Sequence, residues 1–161
     1  MRKLILSLSF SLLAFTSPVL ADVSKDYQDV SSQKLNQAQI ALENEQYDEA
    51  IILFHQSIVA NPNQYQSYLG LGKSYFNQEK YARALKHFET VLVIDPLIKE
   101  ALEFKGMSLL KRHAVDQSKE VLARLREVCQ GNACDEADRL NSAIENYQTP
   151  NEKKQETSEP Q

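Results

Sequence analysis

The sequence lacks tryptophan and has few of the residue types that often form catalytic, metal-binding or phosphate-binding sites. It contains two cysteines, three histidines and four glycines among 161 residues. It contains no Gly-x-Ser-x-Gly motif, no glycine-rich phosphate loop and no dinucleotide fingerprint. A Cys-x-x-Cys pair and a haem-attachment motif are also missing. We therefore expect a protein that is not an enzyme, with no catalytic residue, no cofactor and no metal site.

A long apolar run occurs only near the N-terminus. Residues 1–21 begin with two basic residues, continue with an apolar run from Leu4 to Phe15 and end at Ala21, which is the pattern of a cleaved secretory signal peptide. The alternative is an uncleaved membrane anchor, but an anchor needs about 20 apolar residues. No cysteine lies near the cut, which excludes a lipoprotein. The sequence predicts an exported chain that starts at Asp22, is not stably inserted in a membrane, and is periplasmic or, as the alternative, secreted.

Acidic residues outnumber basic ones, at 22 against 18. The whole chain has a formal net charge of −4, and removal of the two cations in residues 1–21 would change this to −6. Nucleic acids and anionic lipids are bound through a cationic surface. We therefore expect neither as a partner.

The segment from Tyr65 to Pro96 contains the most specific pattern in the chain. Aromatic, small and apolar residues recur in it at the spacing of a helical hairpin, with i, i+4 pairs on each helix and a closing proline. The pattern W-x2-L-G-x2-Y, A-x3-F, P is matched, with tyrosine in place of tryptophan, by Tyr68, Leu71, Gly72, Tyr75, Ala84, Phe88 and Pro96. This segment resembles a tetratricopeptide repeat.

The pattern recurs along the chain with a fixed period, which is the distance from Pro62 to Pro96. A shift backward by one period reaches Ala38, Tyr47, Ala50, Phe54 and Pro62, and a shift forward reaches Leu102, Gly106, Ser118, Leu122 and Leu125. The third copy is degenerate, because Gln130 replaces its closing proline. The resemblance implies an all-α, right-handed solenoid of three hairpins, at about residues 31–64, 65–98 and 99–130; the alternative is an unrelated three-hairpin bundle.

Both ends of the predicted domain, residues 22–148, differ from a standard repeat. The first helix is expected from about Asp22, which makes it longer than a standard repeat helix. Apolar residues at helical spacing predict a capping helix at about 135–147, which would cover the last hairpin. Residues 149–161 contain no aliphatic or aromatic residue and are expected to be disordered.

Cys129 and Cys134 enclose a short segment with Gly131 and Asn132, residues that favour a tight turn. In an oxidising compartment this segment predicts a disulfide that joins the third hairpin to the capping helix. The alternatives are a redox-active pair, a metal site or free thiols. The three histidines, His55, His87 and His113, fall at different places in their repeats, and we expect them to be ordinary surface residues that do not share one face.

The resemblance also implies a concave groove, lined by the first helix of each hairpin, that holds a peptide or a segment of a partner protein. Helical phase places thirteen residues in this groove: Leu35, Asn36, Gln39, Leu42, Glu43, Leu69, Lys73, Phe76, Asn77, Glu103, Phe104, Met107 and Lys111. Packing between repeats is the alternative role for Leu69, Phe76, Phe104 and Met107. Family members that grip a C-terminal carboxylate use Lys, Arg and Asn side chains, and here those places hold Leu35, Gln39, Gly70, Glu100 and Phe104.

A carboxylate-binding activity is therefore not expected. The sequence instead predicts a non-enzymatic scaffold that binds another protein or peptide in its groove. Two alternatives remain: a self-assembling structural subunit, and an accessory subunit of an envelope enzyme or transporter complex.

Overall fold

The computed structural model describes the chain from Pro18 to Glu156, with side chains described for residues 25–147. This part of the chain forms seven helices and no strand: α1 (Pro18–Glu43), α2 (Tyr47–Ala60), α3 (Tyr65–Asn77), α4 (Tyr81–Ile94), α5 (Lys99–Lys111), α6 (Val115–Cys129) and α7 (Asp135–Glu156). Consecutive helices pack as hairpins, and each hairpin packs on the next. The predicted all-α solenoid is confirmed.

The turns inside the three hairpins repeat the same backbone geometry. Glu45, Glu79 and His113 have φ values of 61°, 59° and 63°, and each lies one repeat period after the one before. After each of them, a backbone N–H bonds the carbonyl five residues back, from Gln46 to Ala41 at 2.9 Å and at both equivalent places. These are Schellman-type helix ends, so the repeat read in the sequence is also a repeat of the backbone.

The helices approach closely where the repeat pattern has small residues. Gly72 lies directly against the ring of Phe88, since a Cβ at this position would be 2.4 Å from the ring. Ala84 and Phe88 are fully buried, as are Ala50 and Phe54 in the first hairpin. In the second hairpin, a small residue on the first helix therefore receives an aromatic ring from the second helix.

The two ends differ in length from the prediction. Helix α1 begins at Pro18, and residues 1–17 of the predicted signal peptide lie outside the described residues. Helix α7 starts at Asp135 and continues to Glu156, although we expected disorder from residue 149. The sequence of its last turns is rich in Glu, Lys and Gln, which have high helix propensity. Residues 157–161 of the predicted tail lie outside the described part.

Helix α7 occupies the place of a first helix of a fourth hairpin, beside α5 and against α6. Its apolar side chains Ala137, Leu140 and Ile144 are buried. Leu140 packs against Gly106, where a Cβ would be 2.4 Å from the leucine side chain. The third hairpin is thereby covered, and the concave side of the solenoid is formed by α1, α3 and α5 with α7 at its end.

Candidate functional site

The concave side contains a depression between the first helices of the first two hairpins, with a volume of about 250 Å³. Its lining is Gln39, Leu42, Phe54, Tyr65, Gln66, Leu69, Gly70, Lys73 and Glu100. Four of the predicted groove residues therefore meet here: Gln39, Leu42, Leu69 and Lys73. The lining combines apolar surface with the amide groups of Gln39 and Gln66, which can bond a peptide backbone.

Lys73 is held in place on this surface by two contacts. Its Nζ donates a hydrogen bond to Glu100 Oε1 at 2.8 Å, and the same atom lies 5.5 Å from the centre of the Phe104 ring. The lysine and glutamate side chains remain 33% and 41% exposed. Lys73 therefore presents a compensated charge to the groove, which differs from the free cation of a carboxylate-binding site.

Phe76 and Phe104 form an aromatic cluster between the second and third hairpins. Their rings contact edge to face at 5.3 Å, Phe104 stacks on the buried Phe88 at 5.7 Å, and Phe76 contacts Tyr81 at 5.4 Å. Both phenylalanines are only partly buried. They pack between the repeats and keep part of their surface accessible.

The other predicted groove residues fall into two groups, polar residues that are exposed and apolar residues that pack against the core. Asn36, Gln39, Asn77 and Lys111 are exposed, as is Glu43. Leu35 and Leu42 pack against the core of the first hairpin, and Met107 packs against the core of the third. The polar members are thus available to a partner, whereas the apolar ones contribute only part of their surface.

Glu103 was expected in the groove, and this prediction is wrong because α7 covers it. Its side chain is 4% exposed and accepts two hydrogen bonds from Arg139, from Nε at 2.6 Å and from Nη2 at 2.7 Å. The hydrogen bond to Glu103 raises the pKa of Arg139 further above its ordinary range. The sequence did contain a signal for the position of α7, since one more repeat period after α5 places α7 directly beside it.

Two histidines that we expected on different faces lie together on the second helices. The rings of His55 and His87 are 6.5 Å apart, and His87 stacks on Tyr75 at 5.4 Å. Burial lowers the pKa of His87 to about 4, with smaller contributions from His55 and Lys86. Among the described residues, no group of three or more His, Cys, Asp or Glu side chains could hold a metal ion.

The two cysteines form a disulfide, with their Cα atoms 6.0 Å apart. It closes the connection between α6 and α7, in which Gln130 and Gly131 both have positive φ. This pairing is the one that the sequence predicts. The bond holds the start of the capping helix at the end of the third hairpin.

No described helix is long and apolar enough to span a membrane. No curated protein matches the sequence. Solved structures show the same fold: the first tetratricopeptide domain of Spaghetti (RPAP3) bound to an HSP90 peptide has 16% identity, a TM-score of 0.66, and coverage of 73% of this chain and 93% of its own.

Two further structures are similar at this level. The Yersinia enterocolitica type III secretion chaperone SycD, in complex with a peptide of the translocator YopD, has 18% identity and a TM-score of 0.69, with coverage of 76% of this chain and 95% of its own. The Sgt2 domain from Aspergillus fumigatus has 19% identity and a TM-score of 0.68, with coverage of 81% and 85%.

A sequence model of the tetratricopeptide repeat matches residues 35–97 and 69–127, which together are more than half of the chain. The same residues carry the hairpins, the repeated turns and the concave surface described above. This chain therefore belongs to the tetratricopeptide repeat family.

Proposed function

We propose that this protein is a non-enzymatic scaffold that holds a peptide or an extended segment of a partner protein on its concave surface. Tetratricopeptide domains generally mediate protein–protein interactions, and several of the similar structures contain bound peptides. The observation that carries the proposal is the accessible depression between α1 and α3, with apolar and amide groups side by side. This combination suits a peptide, which offers both side chains and a backbone.

A photo-crosslinking experiment tests this proposal. A photoreactive phenylalanine analogue replaces one exposed residue at a time on the concave side (Asn36, Gln39 or Asn77) or on the second helix of the last hairpin (Gln117). We expect discrete adducts with the same partner from the three concave positions and none from Gln117. Adducts of equal yield from Gln117, or none from the concave positions, would contradict the proposal.

We also propose that the chain works outside the cytoplasm, in the bacterial periplasm. Two features support this proposal: the signal-peptide pattern of residues 1–21 and the disulfide between Cys129 and Cys134. Mass spectrometry of the chain from fractionated cells should find a periplasmic form that starts at Asp22. Recovery of the intact chain from the cytosol would contradict the proposal.

A specific surface favours self-association as a second candidate function. A depression of about 540 Å³ on the outer side of α1 and α2 is lined by Val30, Lys34, Ile52, His55, Gln56 and Val59, and we call it the outer patch. Ile52 and Val59 are 58% and 84% exposed. Apolar surface of this kind often marks an interaction site.

Light scattering distinguishes the two candidates. A self-assembling chain should have a mass above that of the monomer and should lose the excess in Ile52→Lys or Val59→Lys. A monomer at all accessible concentrations would remove this candidate. An accessory role in an enzyme or transporter complex would use the concave surface and would be recognised from the identity of the crosslinked partner.

A further inference from the structure

The space between the second and third hairpins differs from the space between the first and second at one position on the concave side. Gly70 on α3 and Phe104 on α5 are one repeat period apart and occupy equivalent places in their repeats. Phe104 fills the space between α3 and α5, where its ring contacts Phe88, Phe76 and the Lys73 ammonium group. Gly70 has no side chain, and the ring of Phe54 lies 2.1 Å from where its Cβ would be. This ring fills part of the equivalent space between α1 and α3, and the rest of that space is open.

The open space coincides with the depression on the concave side. The three contacts of the Phe104 ring have equivalents one repeat period earlier in the chain. Phe88 corresponds to Phe54, Phe76 to Leu42, and Lys73 to Gln39. These three equivalents line the depression, together with Gly70 itself. The residues equivalent to those around the Phe104 ring therefore line the depression, and the single ring of Phe54 stands where the next interface has the stacked pair of Phe88 and Phe104.

The packing of Phe54 explains why residue 70 is glycine. Phe88 rests on Gly72, but the first hairpin has Ala38 at the equivalent position, so its Cβ occupies the place of that contact. Phe54 instead lies against Gly70, where a Cβ would be 2.1 Å from the ring. The chain cannot place a side chain of its own at position 70 without displacing Phe54.

The electrostatics of the depression favour an uncharged occupant. Its two charged side chains, Lys73 and Glu100, are paired with each other at 2.8 Å. A ligand carboxylate or ammonium would find no unpaired opposite charge and would lose its hydration on entry, which is costly. An apolar side chain has no such cost and would contact the partly buried Leu42, Leu69 and Tyr65.

We propose that the depression beside Gly70 receives one large apolar side chain, phenylalanine or leucine, of the bound peptide. This inference rests on the proposed function and names the chemistry of its ligand. The volume of about 250 Å³ is smaller than the sites of about 300–1,000 Å³ that hold whole small molecules. It suits a single side chain, while Gln39 and Gln66 bond the backbone on either side.

Four matched pentapeptides test the inference. The probes are acetyl-Ala-Ala-X-Ala-Ala-amide with Phe, Ala, Asp or Lys as X, titrated into the full isotopically labelled chain and followed by amide chemical shifts. The Phe peptide should shift the amides of Leu69, Gly70 and Lys73 with millimolar affinity, and the other three should bind at least about tenfold more weakly. Equal responses to the Phe and Asp peptides, or shifts confined to the outer patch, would overturn the inference.

A filling variant provides the second measurement. Gln39→Trp places a ring at the rim of the depression and should weaken binding of the Phe peptide by about tenfold or more. Gln117→Trp, also at an exposed position but on α6, should leave it unchanged. Gly70→Ala is unsuitable because it would displace Phe54. If the partner crosslinks at Asn36 and Asn77 but the Phe peptide does not bind at Gly70, this inference fails and the proposed function stands; if neither binds, both fail.

Discussion

Three buried serines join the first three helices through their hydroxyl groups. The Ser31 hydroxyl donates to the Ser57 carbonyl oxygen at 3.0 Å, and the Ser57 hydroxyl donates to the Ser31 carbonyl oxygen at 2.9 Å. The Ser67 hydroxyl completes the group at 2.8 Å from Ser57 Oγ. Serine is usually exposed, and helical phase does not show which hydroxyls meet, so this network could not be read from the sequence.

Ser57→Ala should lower the free energy of unfolding by about 1–3 kcal/mol, because it removes the shared partner of two buried hydroxyl groups. Urea unfolding followed by circular dichroism measures this change. The control is Ser32→Ala, at an exposed position on α1 beside the network, which should change the stability by less than about 0.5 kcal/mol. Equal effects of the two substitutions would contradict the role of the network.

His87 should make the fold less stable in acid. Its pKa is lowered to about 4 by burial, whereas an unfolded histidine binds a proton below about 6.5. Between these two values the unfolded chain holds more protons, so stability falls as the pH falls from about 6.5 to about 4. At higher pH this histidine causes no loss of stability.

His87→Phe keeps an aromatic ring on Tyr75 and removes the titration. Thermal unfolding at several pH values between about 7 and about 4.5 should show the wild type losing stability relative to the variant. Parallel curves for wild type and His87→Phe would show that His87 is protonated equally well in the folded chain.

At the scale of the helix, α7 is held by polar and covalent contacts as well as by its apolar face. Among the described residues, Arg139 is the only hydrogen-bond partner of the buried Glu103 side chain. The disulfide fixes the start of the helix. The sequence predicted the start of α7 and its buried apolar residues because these depend on helical spacing. The ion pair depends on how α7 lies against α5, which spacing within one helix does not determine.

Arg139→Gln should lower the unfolding midpoint, because it leaves the Glu103 carboxylate buried without its cation. The matched control is Arg126→Gln, which removes an exposed arginine with a single hydrogen bond to Asn141 at 3.0 Å. Thermal unfolding should show a clearly larger decrease for Arg139→Gln. Similar decreases for both variants would mean that the Glu103 pair adds nothing to the docking of α7.

Reduction of the disulfide should also loosen α7. The chain-entropy estimate for the ring from Cys129 to Cys134 is about 2 kcal/mol, and the effect should concentrate at the C-terminal end of the solenoid. Hydrogen exchange of the Cys129→Ser, Cys134→Ser variant should accelerate in α7 before it changes in α1–α4. Uniform acceleration along all helices would contradict this local role.

At the scale of the whole molecule, the repeat was predictable and the detail of the surface was not. The fixed repeat period specified three hairpins and their turns, which the equivalent φ values of Glu45, Glu79 and His113 reproduce. It also placed Gln39, Leu42, Leu69 and Lys73 on one side. The pairing of Lys73 with Glu100 and the space beside Gly70 depend on side chains from neighbouring repeats, so the pattern of one repeat could not reveal them.

The central claim is that the concave surface, and no other, binds the partner. Calorimetric titration of the partner segment recovered by crosslinking tests it most directly, with Gln39→Arg and Asn77→Arg on the concave side and Gln117→Arg as the control. The account predicts a loss of affinity of about tenfold or more, or about 1.4 kcal/mol, for each concave variant and none for the control. Unchanged affinity in Gln39→Arg and Asn77→Arg, or an equal loss in Gln117→Arg, would contradict it.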